Sequence, residues 1–257
     1  MLGAVPWEMA PIEEALTEPE AGEVNGIPYT RGNLSGMPVV VGLTGVGKTN
    51  TGLVLGVLYS EFKPKRVLFS GTGARVKPEI RPGTILLAEE AFFHDAGDLL
   101  DDGMRLLPVF GPAKGVRTEP LFKPDPGLLA AALRAAEGYE PSELISVDGE
   151  TYPAAIRTGR IATGDLFSVN AGKLDELRRK FDADLLEMEG ASVGQACRTL
   201  GVPWILIRGG SDLVRAGDAS NDYLKYGPIA ARQAALFTLH LLEQLARAEG
   251  MPGRSGL

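Results

Sequence analysis

Residues 181–186 alternate between apolar and polar positions and then turn apolar, residues 191–200 repeat their apolar members at helical spacing, and residues 203–207 form a short, continuous apolar run. The pattern predicts a strand, a helix and a second strand, the last covered on both faces. In open α/β sheets the ligand crevice lies beyond the carboxyl ends of the strands. Glu187, Glu189, Arg208 and Asp212 fall at such ends, on two neighbouring strands, and are candidates for chemistry. A plainer reading makes Glu187 and Arg208 a structural ion pair at the sheet edge and Asp212 the cap of the next segment.

Along the rest of the chain, residues 2–5 are predicted as a first strand, Glu8 as the loop residue at its carboxyl end, and residues 9–16 as a helix with Pro11 in its first turn. Residues 27–31 and 38–43 flank Asn33, Leu34, Ser35 and Gly36, a hairpin signal. Residues 50–59 read as helix, 66–69 and 84–88 as strands, and 70–74 as a glycine-rich loop. Residues 101–126 are rich in Gly and Pro and read as a long loop or insertion, followed by a helix at 127–137. Residues 148–152 are turn-like, 158–162 a strand and 171–180 an amphipathic helix. A last long helix, 222–248, is expected to cover the sheet, and 249–257 to be a flexible tail. Together these elements predict an α/β fold: a mixed, mostly parallel twisted sheet flanked by helices, in one domain spanning 1–257.

With 257 residues and 44% hydrophobic content the chain can bury a large core. A net charge of -7 without a compensating Lys/Arg cluster argues against nucleic acid and against a membrane surface, and points to a small ligand. The single cysteine, Cys197, sits in the apolar pattern of a helix and cannot form an internal disulfide, and residues 1–7 carry no signal-peptide pattern, so a cytoplasmic location is expected. His94 and His240 are too few and too far apart for a metal cluster, so no metal or other cofactor is expected.

One motif points elsewhere. Gly42, Leu43, Thr44, Gly45, Val46, Gly47, Lys48 and Thr49 satisfy the phosphate-loop pattern between a predicted strand and a predicted helix, with Asp148 as a candidate for holding magnesium. An ATP-binding protein is therefore an alternative of another class. Against it, the motif follows an antiparallel hairpin, whereas phosphate-loop proteins place it after an early strand of a parallel sheet.

Five further motifs appear in order: Gly3 to Met9 with Trp7 and Glu8; Ser70, Gly71, Thr72, Gly73, Ala74; Phe93, His94, Asp95, Ala96; Ala162, Thr163, Gly164, Asp165, Leu166, Phe167; and the Glu187-Met188-Glu189 and Arg208-x-x-Ser211-Asp212 pair. In this the chain resembles the 5'-methylthioadenosine/S-adenosylhomocysteine nucleosidases of the nucleoside phosphorylase superfamily, from residue 3 to about 247. The resemblance implies a nucleoside phosphorylase-like fold and hydrolysis of the N-glycosidic bond of 5'-thio-substituted adenosines. It implies Asp212 as the acid at N7 of adenine, Glu8 as the base that activates water, and Arg208 with Thr72 as holders of that water. It also implies Glu189 as acceptor for the ribose hydroxyls, with Glu187 beside it, Met188 against the sugar, Phe167 stacked on adenine, the Ser168 backbone on the base edge, and Ser211 beside Asp212. A homodimer is implied as well.

The chain departs from the family at Thr72, Gly73 and Ala74, where Ser, Ala and Gly are usual, and at Ser168, where an aliphatic residue is usual. Residues 97–110, where the family supplies aromatics to the 5' group, are rewritten. A futalosine hydrolase and a purine nucleoside phosphorylase stay open as alternatives. For the latter, Arg75, Arg81 and Lys48 are phosphate candidates without a pattern. Arg215, three residues past Asp212, is read as solvated, with a carboxylate-bearing 5' group as its alternative partner.

Overall fold

The computed structural model of the chain describes residues 1–111, 117–215 and 220–251. In order, its elements are β1 (Leu2–Gly3), α1 (Pro6–Glu14), β2 (Thr17–Val24), β3 (Ile27–Leu34), β4 (Met37–Leu43), α2 (Lys48–Phe62), β5 (Val67–Arg75) and β6 (Ile85–Phe93). There follow β7 (Gly97–Leu100), β8 (Gly103–Leu106), β9 (Val109–Phe110), β10 (Arg117–Thr118), β11 (Leu121–Phe122), α3 (Pro126–Ala136), β12 (Ile145–Val147) and β13 (Glu150–Tyr152). The last are β14 (Ile156–Thr163), α4 (Ala171–Arg179), β15 (Leu185–Glu187), α5 (Gly190–Leu200), β16 (Trp204–Leu213) and α6 (Ser220–Ala248).

The main sheet is organised around β5. Along one edge β16 runs parallel to it, from Trp204 opposite Val67 to Gly210 opposite Gly73. On its other edge β1 pairs in parallel at Phe69, and β15 pairs antiparallel at Ala74 and Arg75. β16 also pairs antiparallel with β6, β6 in parallel with β14, and β14 in parallel with β15. The pairing thus runs from β5 through β16, β6, β14 and β15 back to β5, a closed ring. From it β1, β4, β3 and β2 extend as a wing.

The sheet is therefore mixed, rather than mostly parallel as the sequence led us to expect, and its ring is closed rather than an open crevice. β15 and β16 are not neighbours, because β5 lies between them.

The ring strands are apolar without interruption because both faces are covered. Leu68, Ile85, Leu87, Ile205 and Ile207 pack on one side with Met9 and Ile12 of α1, Leu128 of α3, and Phe237 and Leu241 of α6. Their alternates Phe69, Leu86, Ala88 and Leu206 pack on the other with Leu55 and Leu58 of α2 and Ala191 and Cys197 of α5. No helix among the described residues is long and apolar enough to cross a membrane.

Several boundaries differ from expectation for local reasons. α1 begins at Pro6, where a fixed φ suits the first helical position, so Glu8 lies in its first turn and not in a loop. Residues 70–74 belong to β5, and residues 101–126 contain strand pairs rather than one long loop. The predicted strand at 181–186 shrinks to Leu185–Glu187, because Asp182 takes a left-handed φ of 50° and the Ala183 N–H turns back to the Leu177 carbonyl. Of the expected tail at 249–257, residues 252–257 lie outside the described residues, as do 112–116 of the expected insertion. Three hairpins turn on residue pairs with positive φ, Asn25-Gly26, Ser35-Gly36 and Asp148-Gly149, as two-residue turns of a right-twisted ladder require.

α6 reaches the sheet at one close approach. A Cβ on Gly209 would stand 2.0 Å from the Ala230 carbonyl oxygen, a backbone atom that cannot step aside. Gly209→Ala should lower Tm by roughly 5 °C or more, as overpacking by about 2–3 kcal/mol does in a chain of this size. In contrast, Gly52 in α2 has nothing within 4 Å of that position. Gly52→Ala should leave Tm unchanged or raise it, and scanning calorimetry of the two variants checks both.

Candidate active site

The site begins at the first turn of α1. Glu8, 2% exposed, accepts hydrogen bonds on Oε2 from Ala4 N (2.8 Å) and Val5 N (3.3 Å). On Oε1 it accepts from Thr72 N (2.8 Å) and Thr72 Oγ1 (2.9 Å). Four donors fix this carboxylate between α1 and β5. Gly71 makes the approach possible: a Cβ there would lie 2.3 Å from Arg208 Nη1 and 2.8 Å from Glu8 Oε1.

Across β5, Arg208 is fully buried on the same strand face as Leu206, with its guanidinium 4.6 Å from the Phe69 ring centroid. Its Nη2 donates to Glu187 Oε2 and, at 3.2 Å, to Glu189 Oε2. Burial works against the charge of Arg208, but Glu187, Glu189 and Glu8 together raise its pKa. Glu187 also receives Thr163 Oγ1 and the N–H groups of Glu189 (3.1 Å) and Gly190 (2.8 Å), so it caps the start of α5. Glu189 takes its other bond from Gly47 N at 2.9 Å. Burial pushes the Glu189 carboxyl up to about 7 against the pull of Arg208, with Glu187 adding to the rise.

The third carboxyl stands where β16 slips register between Gly210 and Leu213. Such an irregularity re-aims side chains. Asp212, 1% exposed, accepts from Ser211 Oγ at 2.9 Å, while Arg75 Nε holds the Ser211 carbonyl at 2.7 Å. Burial raises the Asp212 pKa, opposed in part by the Ser211 hydroxyl.

These groups meet in a cavity of about 230 Å³ lined by Glu8, Thr72, Phe167, Glu187, Met188, Glu189, Ser211 and Asp212. Of the sequence candidates, two stand apart. Arg208 lies beneath the wall, bound to the two glutamates, and Ser168 is exposed one residue past the lining. Sequence reasoning missed Val46, Leu166 and Tyr223 as lining residues, and gave Trp7 no role. Tyr223 stands edge-on to Phe167 (5.9 Å, 87°) and 6.4 Å from Trp7, giving the cavity an aromatic side opposite its acidic one.

A larger groove of about 690 Å³ lies between the β3–β4 hairpin and the carboxyl end of α2. Its glutamates are each engaged, Glu20 with Arg31, Glu249 with Arg66 and Glu18 with the Asn33 amide.

The phosphate-loop motif does not present a phosphate site. The N–H groups of Gly47 and Lys48 are taken by Glu189 and Asp165, and Lys48 Nζ sits 2.7 Å from Asp95. Asp148 is bound to Lys225 and Tyr226 in the β12–β13 turn. Arg81 pairs with Glu150 on the surface, and exposed Arg215 lies 3.7 Å from Asp222. Among the described residues no group of three or more His, Cys, Asp and Glu side chains could hold a metal ion.

The family model of the phosphorylase superfamily matches residues 1–243. A 5'-methylthioadenosine/S-adenosylhomocysteine nucleosidase of Mycobacterium bovis is 30% identical over 249 residues, 94% of this chain and 95% of that protein. Among solved structures, the nucleosidase of the same name from Colwellia psychrerythraea, in complex with adenine, is 28% identical with a TM-score of 0.80, covering 95% of this chain and 93% of that one. The futalosine hydrolase of Helicobacter pylori is 25% identical with a TM-score of 0.79, covering 95% and 96%. The chain thus belongs to the phosphorylase superfamily and, within it, to the 5'-methylthioadenosine/S-adenosylhomocysteine nucleosidase family.

Proposed function

We propose that the chain hydrolyses the N-glycosidic bond of 5'-thio-substituted adenosines, methylthioadenosine and S-adenosylhomocysteine, and releases adenine. The observation that carries the choice of water over phosphate is the charge of the cavity: among the described residues, four acidic side chains line it and no lysine or arginine does. A phosphate dianion would meet Glu8, Glu187, Glu189 and Asp212 without a cation to hold it. The three cations that could have served are engaged elsewhere, Arg75 with two carbonyls, Arg81 with Glu150 and Lys48 with Asp95.

Breaking the bond leaves positive charge on the ribose and negative charge on the base, and the site treats the two ends differently. Asp212, whose pKa burial raises, carries a proton to N7 as the adenine leaves. Glu8, held by four donors, accepts the proton of the attacking water, a division of labour between two carboxyls like that of inverting glycoside hydrolysis. Glu189 accepts from the ribose hydroxyls, and Met188 packs on the sugar. Phe167, with Tyr223 at its edge, receives the base, and the Ser168 backbone reads its edge. Arg208 and Thr72 act by holding Glu187, Glu189 and Glu8 in register, and Ser211 holds Asp212.

The reading extends to one domain over 1–257 and to a homodimer in the cytoplasm. Val46, Leu166 and Phe167 are exposed at the cavity mouth, an apolar rim that a second copy would cover.

Incubation with methylthioadenosine, S-adenosylhomocysteine, futalosine and inosine, with and without phosphate, tests the reaction. Adenine should be freed from the first two at a rate unaffected by phosphate, with free sugar as co-product. Ribose 1-phosphate formation, or base release from futalosine alone, would contradict the reading. Asp212→Asn should lower kcat by two or more orders of magnitude while KM stays within a few-fold, as loss of a general acid does.

The ionised Glu189 has a consequence for stability. Its folded pKa of about 7 lies above the ordinary 4.5, so its contribution is present below pH 4.5 and is lost as pH rises through about 7. Glu189→Gln removes that loss. The Tm of the variant relative to wild type should therefore climb between pH 5 and 8, and a difference that is flat with pH would contradict the burial argument.

A further inference from the structure

The proposed chemistry uses the phosphate-loop-like turn at residues 42–49 only through the Gly47 N–H on Glu189 and Val46 at the cavity mouth, and leaves Lys48 without a task. Gly47, with φ of 98°, opens α2. The Lys48 N–H donates to Asp165 Oδ1 at 2.9 Å, and Lys48 Nζ lies 2.7 Å from Asp95 Oδ2 and 3.7 Å from Asp165 Oδ2. Asp95 Oδ2 also accepts the Asp165 N–H at 2.9 Å. Three segments that are far apart in sequence, the start of α2, the end of β6 and the loop after β14, meet on one lysine and two carboxylates. Burial works to raise the Asp95 pKa, but Lys48 and the Asp165 N–H outweigh it and lower it.

The same loop is pinned from behind. His94 is fully buried, and a Cβ on Gly164 would stand 2.3 Å from its Nε2, so the chain crosses the imidazole where no side chain fits. Lys173 Nζ donates to the His94 carbonyl at 2.5 Å, tying α4 to the same point. Between Gly164 and Asn170 the loop presents Leu166 and Phe167 to the cavity, and both are about half exposed. Packing alone holds them weakly, and the polar contacts at Asp165 set where they stand.

We propose that Lys48, Asp95 and Asp165 form a clamp that positions the Phe167 loop, so that Lys48 is a positioning residue for the base-binding side of the site. The clamp rests on the nucleosidase reading for its effect on turnover, though not for its effect on the loop. Glu8 and Asp212 sit on α1 and β16, outside the clamped segment, so its loss disturbs binding of the base and spares bond cleavage. The phosphate-loop pattern then has a physical use without a nucleotide: the N–H groups at the helix start and the lysine neutralise carboxylates of the chain itself.

Two readouts test this, amide hydrogen exchange of residues 164–170 and steady-state adenine release from methylthioadenosine. Lys48→Met should speed exchange in that segment and raise KM by about tenfold, with kcat within about threefold. Asp165→Ala, a change at an exposed loop residue that spares the core, should do the same. The double variant should be no worse than the worse single, as expected of groups that act through one another. Unchanged exchange with an unchanged KM, a fall confined to kcat, or additive losses in the double variant would each overturn the clamp. A wild type that frees no adenine, while Lys48→Met still loosens residues 164–170, would sustain the clamp and overturn the nucleosidase reading.

Discussion

The organising constraint is a fully buried guanidinium. Arg208 lies under the cavity wall against Phe69, and taking such an ion out of water costs several kcal/mol. Glu187 and Glu189 offset that cost, and in doing so they are fixed at the mouth of α5, one capping the helix and the other facing the cavity. Glu8 approaches the same cation from α1, and only a glycine at position 71 leaves room for it. The acidic site is thus built around a cation that does not itself reach the cavity.

From that arrangement the chemistry divides. Among the described residues the cavity gathers carboxyls without a basic side chain, which favours developing positive charge on a sugar and disfavours a phosphate nucleophile. Burial raises Asp212 and Glu189, while the four donors on Glu8 hold it in one orientation. The closed ring of strands makes this possible, because it brings the end of β5, the end of β15 and the irregular end of β16 around one space.

How much of this was legible in the chain depended on whether the signal was local. Residues 203–207 read as a doubly covered strand, since both of their faces are buried by helices. β2 went unpredicted: nearly all of it is exposed, so it left no apolar alternation in the chain. The place of Arg208 was not read: its position at a strand end suggested the crevice, whereas it shares a face with Leu206 and Trp204 and lies under the wall. Ring closure was not readable, because strand order depends on partners that sequence periodicity does not name. Tyr223 was hidden for a similar reason: its place is set by how closely α6 docks at Gly209, 14 residues away in the chain.

The most direct test of the account is the stability of Arg208→Met alone and with Glu187→Gln and Glu189→Gln. Removing the cation should strand two buried carboxylates and lower stability by about 3–5 kcal/mol, and removing their charges as well should recover a large part of that. Denaturant unfolding at pH 8 measures both. A single variant within about 1 kcal/mol of wild type, or a triple variant less stable than the single, would contradict the claim that the site is assembled around Arg208.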